Sequence, residues 1–216
     1  MNFERLVVWL SVLMVAAVTT GAWAAADVGL VNHLSGDVSY QGASAIAKAA
    51  PFMKVRDGDR FTVPEGAMVR VIYFDSGRQE TWKGPASFRA GQKQADAVTG
   101  RAEVSQLPGG APARLAQTAE VIQIAKLGRA GGVTVRGIRS QQLNSAQSAE
   151  VAQAKKTYES WRASAAPDDI TPELYLYTVL DSYLLYDDMK AAVKAMQDRQ
   201  PNSQEVRDLA AWVNHR

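Results

Sequence analysis

The chain has 216 residues, no cysteine, two histidines and a formal charge of +2 from 24 basic and 22 acidic side chains. The missing cysteine excludes disulfides, thiol nucleophiles, zinc-thiolate centres and a lipidated N-terminal Cys. Near-balanced charge asks for neither nucleic acid nor an anionic surface.

Met1 to Arg5 form a short start with one Arg, Leu6 to Val18 are almost wholly apolar, and Ala22-Trp23-Ala24 places small residues where a signal peptidase reads them. The apolar run is shorter than the roughly 20 residues of a spanning helix. Residues 1–24 are therefore expected to be a signal peptide cut after Ala24, a retained anchor being the alternative. A periplasmic mature chain follows, with membrane contact only through that segment before cleavage.

Val28 to Leu34 and Asp37 to Tyr40 flank Ser35-Gly36, which predicts a first hairpin. Further turns stand at Asp57-Gly58-Asp59 and Pro64-Glu65-Gly66. In "VRVIYFDSGRQETWKGPASFRAG" (69–91), Val69, Val71 and Tyr73 share one strand face, while Met68, Ile72 and Phe74 lie on the other with Arg70 among them. Two partly apolar faces predict a central strand covered on both sides. After Asp75-Ser76-Gly77, strands resume at Thr81 to Lys83 and Ser87 to Arg89 around Gly84-Pro85. Arg70, Arg78, Trp82 and Lys83 are a candidate binding edge, with Trp82 stacking on a sugar or packing on a partner protein; the competing reading puts Trp82 in the core.

The order of these elements resembles the FecR-like periplasmic domain. The resemblance runs from Val28 to Arg139 on Gly36 and Val38, Gly58 and Asp59, Gly66 and Ala67, Asp75 and Gly77, and Val135-Arg136-Gly137. It implies a β-rich fold in the cell envelope. Regulatory members of that family carry a cytoplasmic domain that handles a sigma factor. Here about five residues precede the apolar segment, the turn reads Asp-Ser-Gly, and Ile138 follows Val-Arg-Gly, so the resemblance implies fold and setting only.

From Gln92 to Arg139 glycines and prolines interrupt the pattern, and Val121 to Ile124 and Val133 to Val135 are candidate short strands. "LGRAGG" at 127–132 lacks the Gly-Lys-Ser/Thr of a phosphate loop and reads as a turn.

The period then becomes helical. Val151, Ala154, Tyr158 and Trp161 mark one face between Gln141 and Ala163, and Pro167 ends it. Thr171-Pro172 opens a segment that is apolar nearly all round from Leu174 to Tyr186. Met189, Ala192, Val193 and Met196 form a third stripe and Val206, Leu209, Ala210 and Val213 a fourth, with capping-box spacing at Asn202 and Glu205. "YLLYDDMKAAVKAMQDRQPNS" resembles the end of a tetratricopeptide unit without a second copy. Tyr175, Tyr183 and Tyr186, with Tyr177 beside them, are a candidate docking face, core packing being the alternative.

The expected fold class is α+β: an N-terminal antiparallel β-sandwich or small barrel (25–140), then a C-terminal bundle of three to four helices (141–216). With His33 and His215 as the only imidazoles, and no Gly-x-Ser-x-Gly elbow, no catalytic triad or His-built transition-metal site is supplied. The adjacent acids Asp168-Asp169 and Asp187-Asp188 read as helix-end charges. The expectation is a non-catalytic exported adaptor or sensor without a cofactor, binding an envelope protein through both parts. The alternative is a glycan- or peptidoglycan-binding module built on the β domain.

Overall fold

The computed structural model describes residues 26–43, 45–129 and 142–215. The expected signal segment, the Val133 to Val135 strand and the closing Val135-Arg136-Gly137 lie outside these residues.

Among the described residues ten strands run in chain order: β1 (Asp27–Ser35), β2 (Ser39–Gln41), β3 (Ile46–Lys48), β4 (Lys54–Arg56), β5 (Arg60–Val63), β6 (Met68–Tyr73), β7 (Arg78–Lys83), β8 (Ala86–Ala90), β9 (Ala95–Thr99) and β10 (Ala102–Gln106). They form two antiparallel five-stranded sheets, β10-β7-β6-β1-β4 and β3-β2-β5-β8-β9. The outcome is a sandwich, not a closed barrel. Ser35-Gly36 does not close a hairpin, because β1 pairs with β4 and β6 while β2 pairs with β3 and β5. The same turn chemistry serves a crossing from one sheet to the other, with Gly36 at φ 78°. Thr81 to Lys83 and Ser87 to Arg89 likewise belong to opposite sheets.

Alternation along the strands builds the sandwich core. Val69, Val71, Tyr73 and Trp82 point inward from the first sheet, and Phe61, Val63 and Phe88 meet them from the second. Tyr40, Phe61, Phe88 and Trp82 stack in sequence, with centroid separations of 5.9, 5.0 and 4.4 Å. Tyr40, Phe61 and Phe88 are register neighbours within one sheet, and Trp82 crosses from the other. Burial of such aromatics is a large part of what holds the sheets together.

The opposite face of the first sheet is covered by helices: α1 (Ala111–Leu115), α2 (Thr118–Arg129), α3 (Ser145–Arg162), α4 (Thr171–Asp181), α5 (Tyr186–Arg199) and α6 (Gln204–Asn214). Leu30 and Ile72 leave the sheet on this side and join Phe52, Leu115, Leu174 and Met189 in one helical core. β6 is thus buried on both faces, as its apolar pattern predicts. Among the described residues the expected C-terminal bundle holds four helices, α3 to α6, within the expected three to four, but the helical layer starts earlier, at Ala111, because α1 and α2 precede residue 141. Val121 to Ile124 lies inside α2 and is not a strand. Ala119, Ile122 and Ala125, three residues apart, carry the buried face, and a four-residue apolar run could not distinguish the two periods.

Two helix boundaries also differ from expectation. The apolar run from Leu174 to Tyr186 breaks after Asp181, where Leu184 adopts φ 56° before α5 begins. Ser203, not Asn202, caps α6, its hydroxyl accepting the Val206 amide at 3.3 Å. The reciprocal capping box is at Asn144 and Gln147, heading α3.

Candidate binding surfaces and the polar junction

Between the first sheet and the helices lies a buried polar junction. Asn32 on β1 and Gln79 and Thr81 on β7 project to the helical side, as does Arg70 on β6. Opposite them, the loop entering α4 supplies Asp168 and Asp169, and the first residue of the helix supplies Thr171. Asp169 accepts the Gln79 amide at 3.0 Å and the Thr171 backbone N–H at 2.9 Å, and also the Thr171 hydroxyl. Asn32 donates to the Thr171 hydroxyl at 2.5 Å. Arg70 donates to Thr81 at 3.0 Å and lies 3.6 Å from Asp169 and 3.8 Å from Asp168. Asp169 thus serves as a helix-entry acceptor, in keeping with the helix-end reading of the acidic pair.

His33 borders this junction in a cleft of about 540 Å³ lined also by Asp168, Gln200 and Ser203. The Gln200 amide contacts His33 Nδ1 at 3.0 Å and donates to the Asp168 carbonyl at 2.8 Å, while His33 Nε2 lies 3.9 Å from the Asp168 carboxylate. Burial lowers the His33 pKa from the ordinary 6.5, and Arg70 lowers it further, against Asp168 and Asp169. The unfolded chain therefore binds this proton more readily than the folded one. Stability is full above about pH 6.5 and declines as pH drops below it toward the folded value. Urea midpoints measured between pH 7 and pH 5 should fall more for the wild type than for His33→Gln; equal slopes would refute the assignment.

A second cluster ties three helices together. Glu173 on α4 is wholly buried and pairs with Arg162 of α3 at 3.2 Å and Arg199 of α5 at 3.3 Å. Tyr158 donates to it at 3.3 Å, and burial, then Glu173, raise the Tyr158 pKa so that the phenol keeps its proton. Arg162 also donates to the carbonyls of Ala165, Ala166 and Asp169, closing the turn before α4.

The four residues of the candidate β edge do not share a surface. Trp82 is 2% exposed in the sandwich core, its indole N–H donating to Glu80 at 3.1 Å. Arg78 lies on that same face and pairs with Glu80 at 2.6 Å. Arg70 is buried on the other face, in the junction. Lys83 alone is well exposed, paired with Glu103 at 2.6 Å. The indole is committed to core packing, the competing reading stated above.

Of the candidate helical face, Tyr175 is buried against Trp161, with ring centroids 6.2 Å apart. Tyr183 and Tyr186 are half-buried at the rim of the same core, and Tyr183 donates to Glu150 at 2.6 Å. These two are the members of the set that reach the surface.

No local sequence pattern singles out Arg60 and Arg89. They are exposed residues directly opposite one another on β5 and β8, in a shallow cavity of about 440 Å³ on the outer face of the second sheet. Asn32 and Glu173 were also missed, although each is a polar residue inside an apolar run, a pattern that signals a buried partner.

Among the described residues no helix is long and apolar enough to cross a membrane, and no group of three or more His, Cys, Asp or Glu is arranged to hold a metal ion. No family model matches the chain, and comparisons with curated proteins and with solved structures returned no match either.

Proposed function

We propose that this chain is a non-catalytic exported adaptor or sensor of the cell envelope, FecR-like in its β part, that binds a partner protein as one body. The observation that carries this reading is the common core: Leu30, Phe52 and Ile72 from the sandwich pack with helical residues from Ala111 to Val213. A partner meets the sandwich and the helices as a single surface in fixed relation. The ionisable groups a hydrolytic reading would use, His33, Asp168, Asp169 and Glu173, each engage neighbours that hold the layers together. Export rests on the apolar run from Leu6 to Val18.

The test is photo-cross-linking in cells from a reactive residue placed at Tyr183 or Tyr186 of the full chain, with mass spectrometry of the adducts and of the mature N-terminus. One envelope protein captured from these positions, on a chain beginning at Ala25, supports the adaptor reading. Peptidoglycan fragments without a protein adduct move the function to the glycan-binding alternative, and an uncut N-terminus overturns the expected cleavage.

A further inference from the structure

We infer that the outer face of the second sheet is a docking site for an acidic, aliphatic-flanked segment of a partner protein, gripped by Arg60 and Arg89. This rests on the partner-binding reading above and names the chemistry of the partner. Four observations lead to it.

The first is a like-charge pair without an ion pair. Arg60 and Arg89 are direct cross-strand partners on the adjacent inner strands β5 and β8. Opposite residues on one face stand about 5 Å apart, and like charges placed so are destabilising. Neither guanidinium has an ion pair or side-chain hydrogen bond among the described residues; Asp96, the register neighbour of Arg89 on β9, forms none with it. Most other cations described here do have a carboxylate. A row that sets two arginines side by side, with the one carboxylate of Asp96 at its end, keeps a net positive charge and is complementary to an anion, and the planar fork of each arginine matches a carboxylate.

The second observation is the row beside the pair. Thr62 and Ser87 face each other in the next outward register, the Ser87 hydroxyl bonding to that of Thr99 at 2.9 Å. Hydroxyls here supply both donors and acceptors to a backbone lying across the strands.

The third is the aliphatic margin. Ile46 on the edge strand β3 and Val98 on the edge strand β9 are each 72% exposed and line the same cavity as the arginines. They bracket the charges from opposite sides of the sheet. Exposed large aliphatics on both rims suit leucine-like side chains on either side of the acidic residues, and this favours a polypeptide over a uniformly polar sugar chain.

The fourth is the reach. β3 and β9 are four strand spacings apart, roughly 19 Å, which an extended peptide crosses in about 6 residues. The helices lie on the far side of the other sheet, so this face is not covered by the described part of the chain.

The test measures fluorescence anisotropy of the full exported chain with three labelled probes: an eight-residue peptide carrying two adjacent glutamates between leucines, its glutamine counterpart, and a uronic-acid tetrasaccharide. The glutamate peptide should bind about 10-fold or more tightly than the glutamine peptide, each carboxylate-guanidinium contact being of that order. Its affinity should fall with added salt. Arg60→Glu replaces a repulsive pair by an attractive one, so its melting temperature should stay the same or rise while peptide binding is lost. Unchanged binding by Arg60→Glu, equal binding of both peptides, preference for the uronate, or no binding of any probe would each overturn the inference. Repeating the in-cell cross-linking with Arg60→Glu separates the two readings. Undiminished capture sinks this face and leaves the adaptor standing, whereas no capture by the wild type sinks the adaptor reading itself.

Discussion

Glu173→Ala is expected to lower stability by about 3–5 kcal/mol, the cost of removing one partner from a buried ion pair. The reason lies in what remains behind. Arg162 and Arg199 reach into the helical layer to meet a carboxylate with no exposure of its own, and both are mostly screened from water. Deleting the carboxylate leaves two cationic groups facing each other and removes the acceptor of the Tyr158 hydroxyl. Urea unfolding should show a lower midpoint at an unchanged slope. Glu173→Gln keeps the shape and one acceptor oxygen, so it should cost less than the alanine variant. If the two variants have the wild-type midpoint, the cluster is not what joins α3, α4 and α5.

Trp82→Ala should cost a similar amount, about 3–5 kcal/mol or roughly 10 °C in melting temperature for a chain of this size. The indole closes the aromatic stack across the two sheets and donates to Glu80, which is itself 1% exposed. Its removal opens a cavity at Phe88 and withdraws a hydrogen bond from a buried carboxylate that retains Arg78. Trp82→Phe refills most of the cavity without restoring the donor and should fall between wild type and alanine. A Trp82→Ala protein as stable as wild type would mean that the ring is not part of the core. Loss of sugar binding on this substitution would follow from general destabilisation and could not mark a glycan site.

Much of the sandwich can be read in the chain because its strands alternate cleanly. Val69, Val71 and Tyr73 against Met68 and Ile72 already indicate a strand covered on two sides, and the structure supplies the two coverings. The misreadings have physical causes. Ser35-Gly36 forms the bend a hairpin would use, and local turn chemistry carries no information about which strand the chain pairs with next. Val121 to Ile124 is too short an apolar run to separate a period of two from one of 3.6, and its helical partners, Val206 and Leu209 on α6, lie some eighty positions away.

The polar junction was half visible. Arg70 stands out in an apolar strand, and Asp168-Asp169 read as acids at a helix end, yet nothing local to either segment joins them. Their meeting depends on the helices folding back over the first sheet. The Arg60 and Arg89 pair was hidden for the same reason: the two residues acquire a common face only when β5 and β8 become neighbours.

One strand gives this architecture its mechanical character. β6 has no side open to water: Tyr73 is locked into the sandwich and Ile72, the adjacent residue, into the helical layer. Close-packed interiors take up displacement by moving their neighbours. A shift of the sandwich side chains is therefore passed through the strand to α4 and its companions, so that a displacement imposed on one layer is delivered to the other, as through a diaphragm clamped between two chambers.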